Sequence, residues 1–204
     1  MRESGTSPVI RCSPRVAVVH AVVHAVVRAV AKAHVLAFAA GLALAGCGAC
    51  NAEGKGEIVY REGPVAFRLP GTPATWKQIK VSHAALSFRD DVHDASILVN
   101  GRCTTLDGDT PLLALTNHLV MGTTERAVES QAVEPFDGRE ALHTRLTAKL
   151  DGVPFGFDIF VLKKDGCVYD FVYVASRDVI EKGAPIFDAF VHGFRTLPGS
   201  GAKI

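Results

Sequence analysis

The sequence predicts an α+β fold, one antiparallel β-sheet flanked by helices, and three observations carry that expectation. The stretch from Gly138 to Ser176 is divided by Asp151-Gly152 and Asp165-Gly166 into three runs of alternating polarity, the pattern of an antiparallel meander. Shorter alternating runs stand upstream, at Val65, Phe67 and Leu69, at Leu86 and Phe88, and at Ile97 and Val99. Two helical stripes complete the set: Leu112, Leu115, Thr116 and Leu119 before Gly122, and Phe187, Phe190, Val191 and Phe194 near the end. Each stripe needs a sheet to lie on.

The chain opens with Arg2, Arg11 and Arg15, then runs apolar from Val16 with His20, His24, Arg28 and Lys32 interspersed. From Val35 to Gly46 it is uncharged, about a dozen residues, where a spanning helix needs about 20. A basic start and a short apolar run ending in small residues describe a removable leader. Its length leads us to expect the true start inside the Val-rich tract. Leu44, Ala45, Gly46 and Cys47 resemble the lipobox of bacterial lipoproteins. The resemblance implies that residues 1–46 are a signal peptide and that Cys47 becomes the acylated first residue, holding the protein on a membrane. Gly48 is not the aspartate that often retains such proteins at the inner membrane. The implied address is therefore the outer membrane, facing the periplasm, with the inner membrane as the alternative. An ordinary thiol at Cys47 in an uncleaved anchor would place Arg28 and Lys32 in hydrocarbon, at a cost.

Residues 47–56, small and polar from Asn51 on, read as a flexible tether, and 57–198 as a single domain. The total of 204 residues less its leader leaves roughly 150, one ordinary domain. Val65 to Leu69 is a strand ended by Pro70, Trp76 opens a second strand region, and Ile79 and Val81 mark another. Thr110-Pro111 reads as the cap and first turn of the short helix. Arg126 to Glu134 reads as an edge strand ending at Pro135.

In the meander, a two-residue loop at Asp151-Gly152 pairs Leu150 with Val153, Leu146 with Phe157 and Leu142 with Val161. It also makes Arg145 and Asp158 cross-strand neighbours on the face expected to be wet. The same loop at Asp165-Gly166 would set Asp170 opposite Val161 on the apolar face, with no partner for its carboxylate. A three-residue loop, Lys164 to Gly166, is therefore expected there, with Ile159 facing Phe171 and Phe157 facing Tyr173. Phe160 and Leu162 are apolar on the nominally wet side, so part of that face should be covered too. Ser176 should cap a short helical turn that Gly183 and Pro185 interrupt before the terminal helix. The order of elements and the closing aromatic helix resemble the α/β/α sandwich of PsbP-like proteins across most of the mature chain. That resemblance implies an accessory protein that binds partners and does not catalyse.

The 22 basic and 21 acidic residues are mixed along the chain and leave a charge of +1, which excludes the electrostatic footprint of nucleic-acid binding. Arg89, Asp90, Asp91, His93 and Asp94 form the densest polar cluster, but without the glycine and closing glutamate of a calcium loop it reads as a solvated turn. His83, His118, His143 and His192 stand singly, at no zinc-ligand spacing. No metal and no cofactor are expected. A Gly-x-Ser-x-Gly elbow and a phosphate loop are both missing, so no catalytic residue is assigned.

Of five cysteines, Cys103 and Cys167 fall at strand ends, and in an oxidising compartment a disulfide between them is expected. Such a bridge closes a loop of about 65 residues and contributes roughly 4 kcal/mol. Spacing alone leaves open a bridge from Cys50 to either, or two independent thiols. The functional expectation is a non-catalytic binding or assembly role, with an envelope protein or a small apolar ligand as partner. The alternative is an envelope hydrolase or thiol enzyme, with Cys103 as its candidate nucleophile.

Overall fold

The computed structural model describes residues 56–104 and 107–201. The leader, Cys47, Cys50 and the tether up to residue 55 lie outside the described residues. In chain order the elements are β1 Ile58–Glu62, β2 Val65–Leu69, β3 Trp76–Gln78, β4 Leu86–Asp90, β5 Ala95–Cys103 and helix α1 Leu112–Leu119. They continue with β6 Thr124–Phe136, β7 Arg139–Leu150, β8 Val153–Lys164, β9 Cys167–Ser176, helix α2 Ile180–His192 and β10 Arg195–Thr196. Seven strands form one sheet in the order β3-β4-β5-β9-β8-β7-β6, every pairing antiparallel. A second sheet, β1-β2-β10, lies beside α2.

Both faces of the large sheet are covered, which makes the fold α+β with three layers. Phe88, Ile97, Phe160, Phe171 and Tyr173 meet Phe67 of β2 and Phe187, Phe190, Val191 and Phe194 from α2 and its exit. On the opposite face Phe157, Ile159, Val161 and Val172 meet Leu115 of α1 and Val120. Complete burial of one such side chain contributes about 1.5–3 kcal/mol, so these two clusters are what hold the layers together. Strand β9 lies mid-sheet, and nine of its ten residues are buried. Apart from Asp170 and Ser176 it therefore reads as an apolar run rather than an alternating one.

The hairpin turns follow from their residues. Asp137-Gly138, Asp151-Gly152 and Asp165-Gly166 all place both residues at positive φ, from 46° to 82°, as a two-residue type I′ turn requires. The β7–β8 register is the expected one, with Leu150 opposite Val153, Leu146 opposite Phe157 and Leu142 opposite Val161.

The β8–β9 register is not. Asp165-Gly166 is a two-residue loop like the others, so Val161 faces Asp170, Ile159 faces Val172 and Phe157 faces Val174. The three-residue loop was expected in order to spare Asp170 a partnerless burial, but β5 supplies the partners. Asn100 Nδ2 donates to its carboxylate at 2.9 Å and Arg102 Nη1 at 3.2 Å. Burial pushes the Asp170 carboxyl up, against the pull of these two donors.

Four further expectations are corrected. The face carrying His143, Arg145 and Asp158 is not wet, because α2 and its aromatic stripe cover it and Asp158 is fully buried. Helix α2 runs unbroken through Gly183 and Pro185 from Val179, and Ser176 does not cap it. Gly183 is needed there: a Cβ would lie 1.8 Å from Tyr173 Oη, so only glycine lets the helix approach the sheet. Helix α1 begins after Pro111 with no side-chain cap, so Thr110 is not its cap. Its carbonyl instead accepts from Lys163 Nζ at 3.1 Å. Ile79 and Val81 form no strand, and Val81 packs against the α1-side core.

Candidate functional site

Two of the three buried aspartates among the described residues, Asp90 and Asp158, lie between α2 and the sheet, and the strand register assembles their surroundings. Asp158 on β8 lies directly between Arg145 on β7 and Tyr173 on β9. His143 Nε2 stands 2.6 Å from Asp158 Oδ1, and Arg145 Nε donates to Oδ2 at 3.1 Å. Arg145 continues through Nη1 to Glu181 of α2 at 3.4 Å, tying the helix start to the sheet. The His143 ring stacks on Phe160 with centroids 3.9 Å apart. Burial opposes its charge, but the bond to Asp158 and the carboxylates of Asp158 and Glu134 outweigh it against Arg145. The imidazole is therefore held above its ordinary value.

A second buried carboxylate, Asp90, ends β4. It accepts from the backbone N–H of Val92 at 3.1 Å and of His93 at 3.4 Å, and its Oδ2 stands 2.7 Å from His93 Nδ1. Tyr173 Oη donates to it at 3.5 Å. Burial first, and the Asp90 charge second, push the Tyr173 phenol above its usual value. The cluster read as a solvated turn thus has a buried centre, Asp90, that organises the β4–β5 connection. Among the described residues no group of three His, Cys, Asp or Glu side chains is placed to hold a metal ion.

General-base activation needs a hydroxyl or thiol at the free nitrogen of the imidazole. His143 Nδ1 instead faces Glu134 Oε2 at 3.6 Å. The cavity beside Asp158, lined by Arg145, Gly156, Ile180 and Glu181, holds about 10 Å³, room for a single water at most. A larger one of about 170 Å³ lies at the disulfide end between Arg139, Lys163, Lys164 and Asp107. Ligand pockets typically run from about 300 to 1,000 Å³.

The structure places Cys103 directly opposite Cys167 across β5 and β9. Their sulfurs are joined at 1.98 Å with Cα atoms 3.9 Å apart. A bridged sulfur is not a thiolate, so Cys103 holds no nucleophile in this state. His83 and His118 stay apart from the polar cluster, whereas His143 and His192 converge on it from β7 and α2, with Glu134 of β6 between them. Sequence reasoning kept these two histidines single, because their meeting depends on where α2 lands.

No helix among the described residues is long and apolar enough to cross a membrane. The sequence matches no protein-family model and no curated protein. Solved structures are similar in fold. Cyanobacterial PsbP (CyanoP) from Synechocystis sp. PCC 6803 is 15% identical, with a TM-score of 0.51 over 76% of this chain and 99% of that one. LpqN, involved in cell envelope biogenesis of Mycobacterium tuberculosis, is 13% identical, with a TM-score of 0.48 over 70% of this chain and 91% of that one. The domain has the PsbP-like α+β fold.

Proposed function

We propose that the protein is a lipid-anchored envelope protein, facing the periplasm from the outer membrane, whose domain binds a protein partner and catalyses nothing. Attachment rests on the run Leu44-Ala45-Gly46-Cys47, with residues 1–46 removed, 47–56 as tether and 57–198 as the domain. The binding reading rests on the asymmetry of the sheet's two edges. At one edge β3 has three residues; at the other β6 has 13, and its first ten are all exposed, Val128 and Val133 included. A long edge offers a row of unpaired N–H and C=O groups to an added strand.

Parts of β6 are blunted. Glu125 has a positive φ of 49°, the pairing with β7 is irregular between Thr124 and Ala127 and again between Val128 and Ser130, and Pro135 has no N–H. The regular stretch from Ser130 to Glu134 is where an extended segment of an envelope protein would add. A small apolar ligand fits less well, since the cavities described above fall below ligand size.

Photo-crosslinking residues introduced at Gln131 and Val133, with Val59 and Val92 as exposed controls away from β6, test this in intact cells. A discrete protein adduct from the β6 positions and none from the controls is expected. Adducts from the controls with none from β6 would contradict it.

A further inference from the structure

Glu134 stands between two imidazoles, and the far side of each imidazole decides where its proton lies. His143 Nε2 is 2.6 Å from Asp158 Oδ1, a carboxylate that only accepts, so this nitrogen carries the hydrogen. His192 Nδ1 is 2.9 Å from the backbone carbonyl of Asp188, which also only accepts, so here Nδ1 carries it. In the neutral rings the remaining nitrogens, His143 Nδ1 and His192 Nε2, are therefore lone pairs. Both face Glu134, at 3.6 Å from Oε2 and 3.3 Å from Oε1. Glu134 Oε1 is buried and has no hydrogen-bond donor, since the 3.3 Å approach lacks the alignment of a bond.

With both rings neutral, three acceptors thus converge from β6, β7 and α2 with no proton among them, and the buried Glu134 Oε1 bears the desolvation cost of that arrangement. The rings are held by packing. His143 lies flat on Phe160, and His192 sets its edge over Phe160 and tilts against Phe136. A proton on either ring converts the mismatch into a charge-assisted contact with the carboxylate.

We propose that Glu134, His143 and His192 form a proton-operated clasp, which holds the C-terminal end of α2 to the β6–β7 hairpin more tightly in acid than in alkali. The charged groups around it are few. Asp158 and Arg145 flank His143, with Glu181 beyond the arginine; Asp188 lies 3.5 Å from His192, and Arg195 donates to the His192 carbonyl at 2.8 Å. The raised affinity of His143 for its proton agrees in sign. Such a group stabilises the fold fully below the ordinary imidazole value of about 6.5, and its contribution is lost as pH rises through the higher folded value. A divalent ion would also satisfy three acceptors, but no such triad among the described residues is placed to ligate one. The clasp does not depend on whether β6 receives a partner.

Imidazole nitrogen NMR at pH 8 should show the proton on Nε2 of His143 and on Nδ1 of His192. Amide exchange at residues 133–136 and 189–193, corrected for intrinsic rate, should slow roughly tenfold from pH 8 to pH 5.5, the lower end of what one hydrogen bond to a charged group contributes. Glu134→Gln keeps the shape and brings an N–H₂ donor to the two lone pairs, so its protection should depend less on pH than that of the unaltered protein, the remainder coming from the His143–Asp158 pair. The opposite tautomers, or a full tenfold dependence surviving in Glu134→Gln, would overturn the clasp. So would protection at pH 8 that appears on adding zinc ion to the unaltered protein, which would make the cluster a metal site.

Discussion

Asp158→Ala should cost about 3–5 kcal/mol of stability, the usual cost of removing one partner of a buried ion pair. The aspartate is fully buried, and its oxygens are engaged by His143 and Arg145. The Arg145 guanidinium and the His143 ring would remain beneath α2 with no carboxylate between them. For a domain of roughly 150 residues the midpoint of thermal unfolding should fall by about 10 °C or more. Asp158→Asn keeps the volume and one acceptor oxygen, so it should lose less. Chemical denaturation of both variants checks the order. A loss under about 1 kcal/mol for Asp158→Ala, or equal losses for the two, would show that the carboxylate charge does not hold this layer.

The disulfide has an effect of similar size by a different route. Cys103 and Cys167 are 64 positions apart in the chain, and closing a loop of that length removes enough unfolded-state entropy to stabilise by about 4 kcal/mol. The double variant Cys103→Ala, Cys167→Ala avoids a stray thiol and should lose that amount, and reduction of the unaltered protein should reproduce it. Non-reducing peptide mapping identifies the bond itself. Free Cys103, or a bridge to Cys50, would contradict the structure. A double variant as stable as the parent would contradict the energetics.

What was readable in the sequence, and what was not, divides by range. The β7–β8 register was readable because Asp151-Gly152 and one apolar alternation specify it locally, and Arg145 beside Asp158 followed from it. The β8–β9 register was misread because the residues that make a buried Asp170 tolerable, Asn100 and Arg102, come from β5, about 70 positions earlier. No local pattern records that. The face of His143 and Asp158 looked wet for the same reason, since polar residues that satisfy one another beneath a helix alternate just as solvated ones do. Phe160 and Leu162 were the one sign of cover, and both are fully buried. The convergence of Glu134, His143 and His192 had no sequence signature at all, because three separate elements bring them together.

The most direct test of the account concerns Cys47, on which the envelope role rests. Cells expressing the unaltered protein and Cys47→Ala are fractionated, and the intact mass of each product is measured. The account predicts a membrane-pelleted, detergent-released protein that begins at an acylated Cys47, and a Cys47→Ala variant that keeps its leader and carries no acyl mass. A variant that stays in the membrane pellet and is processed like the parent would contradict it.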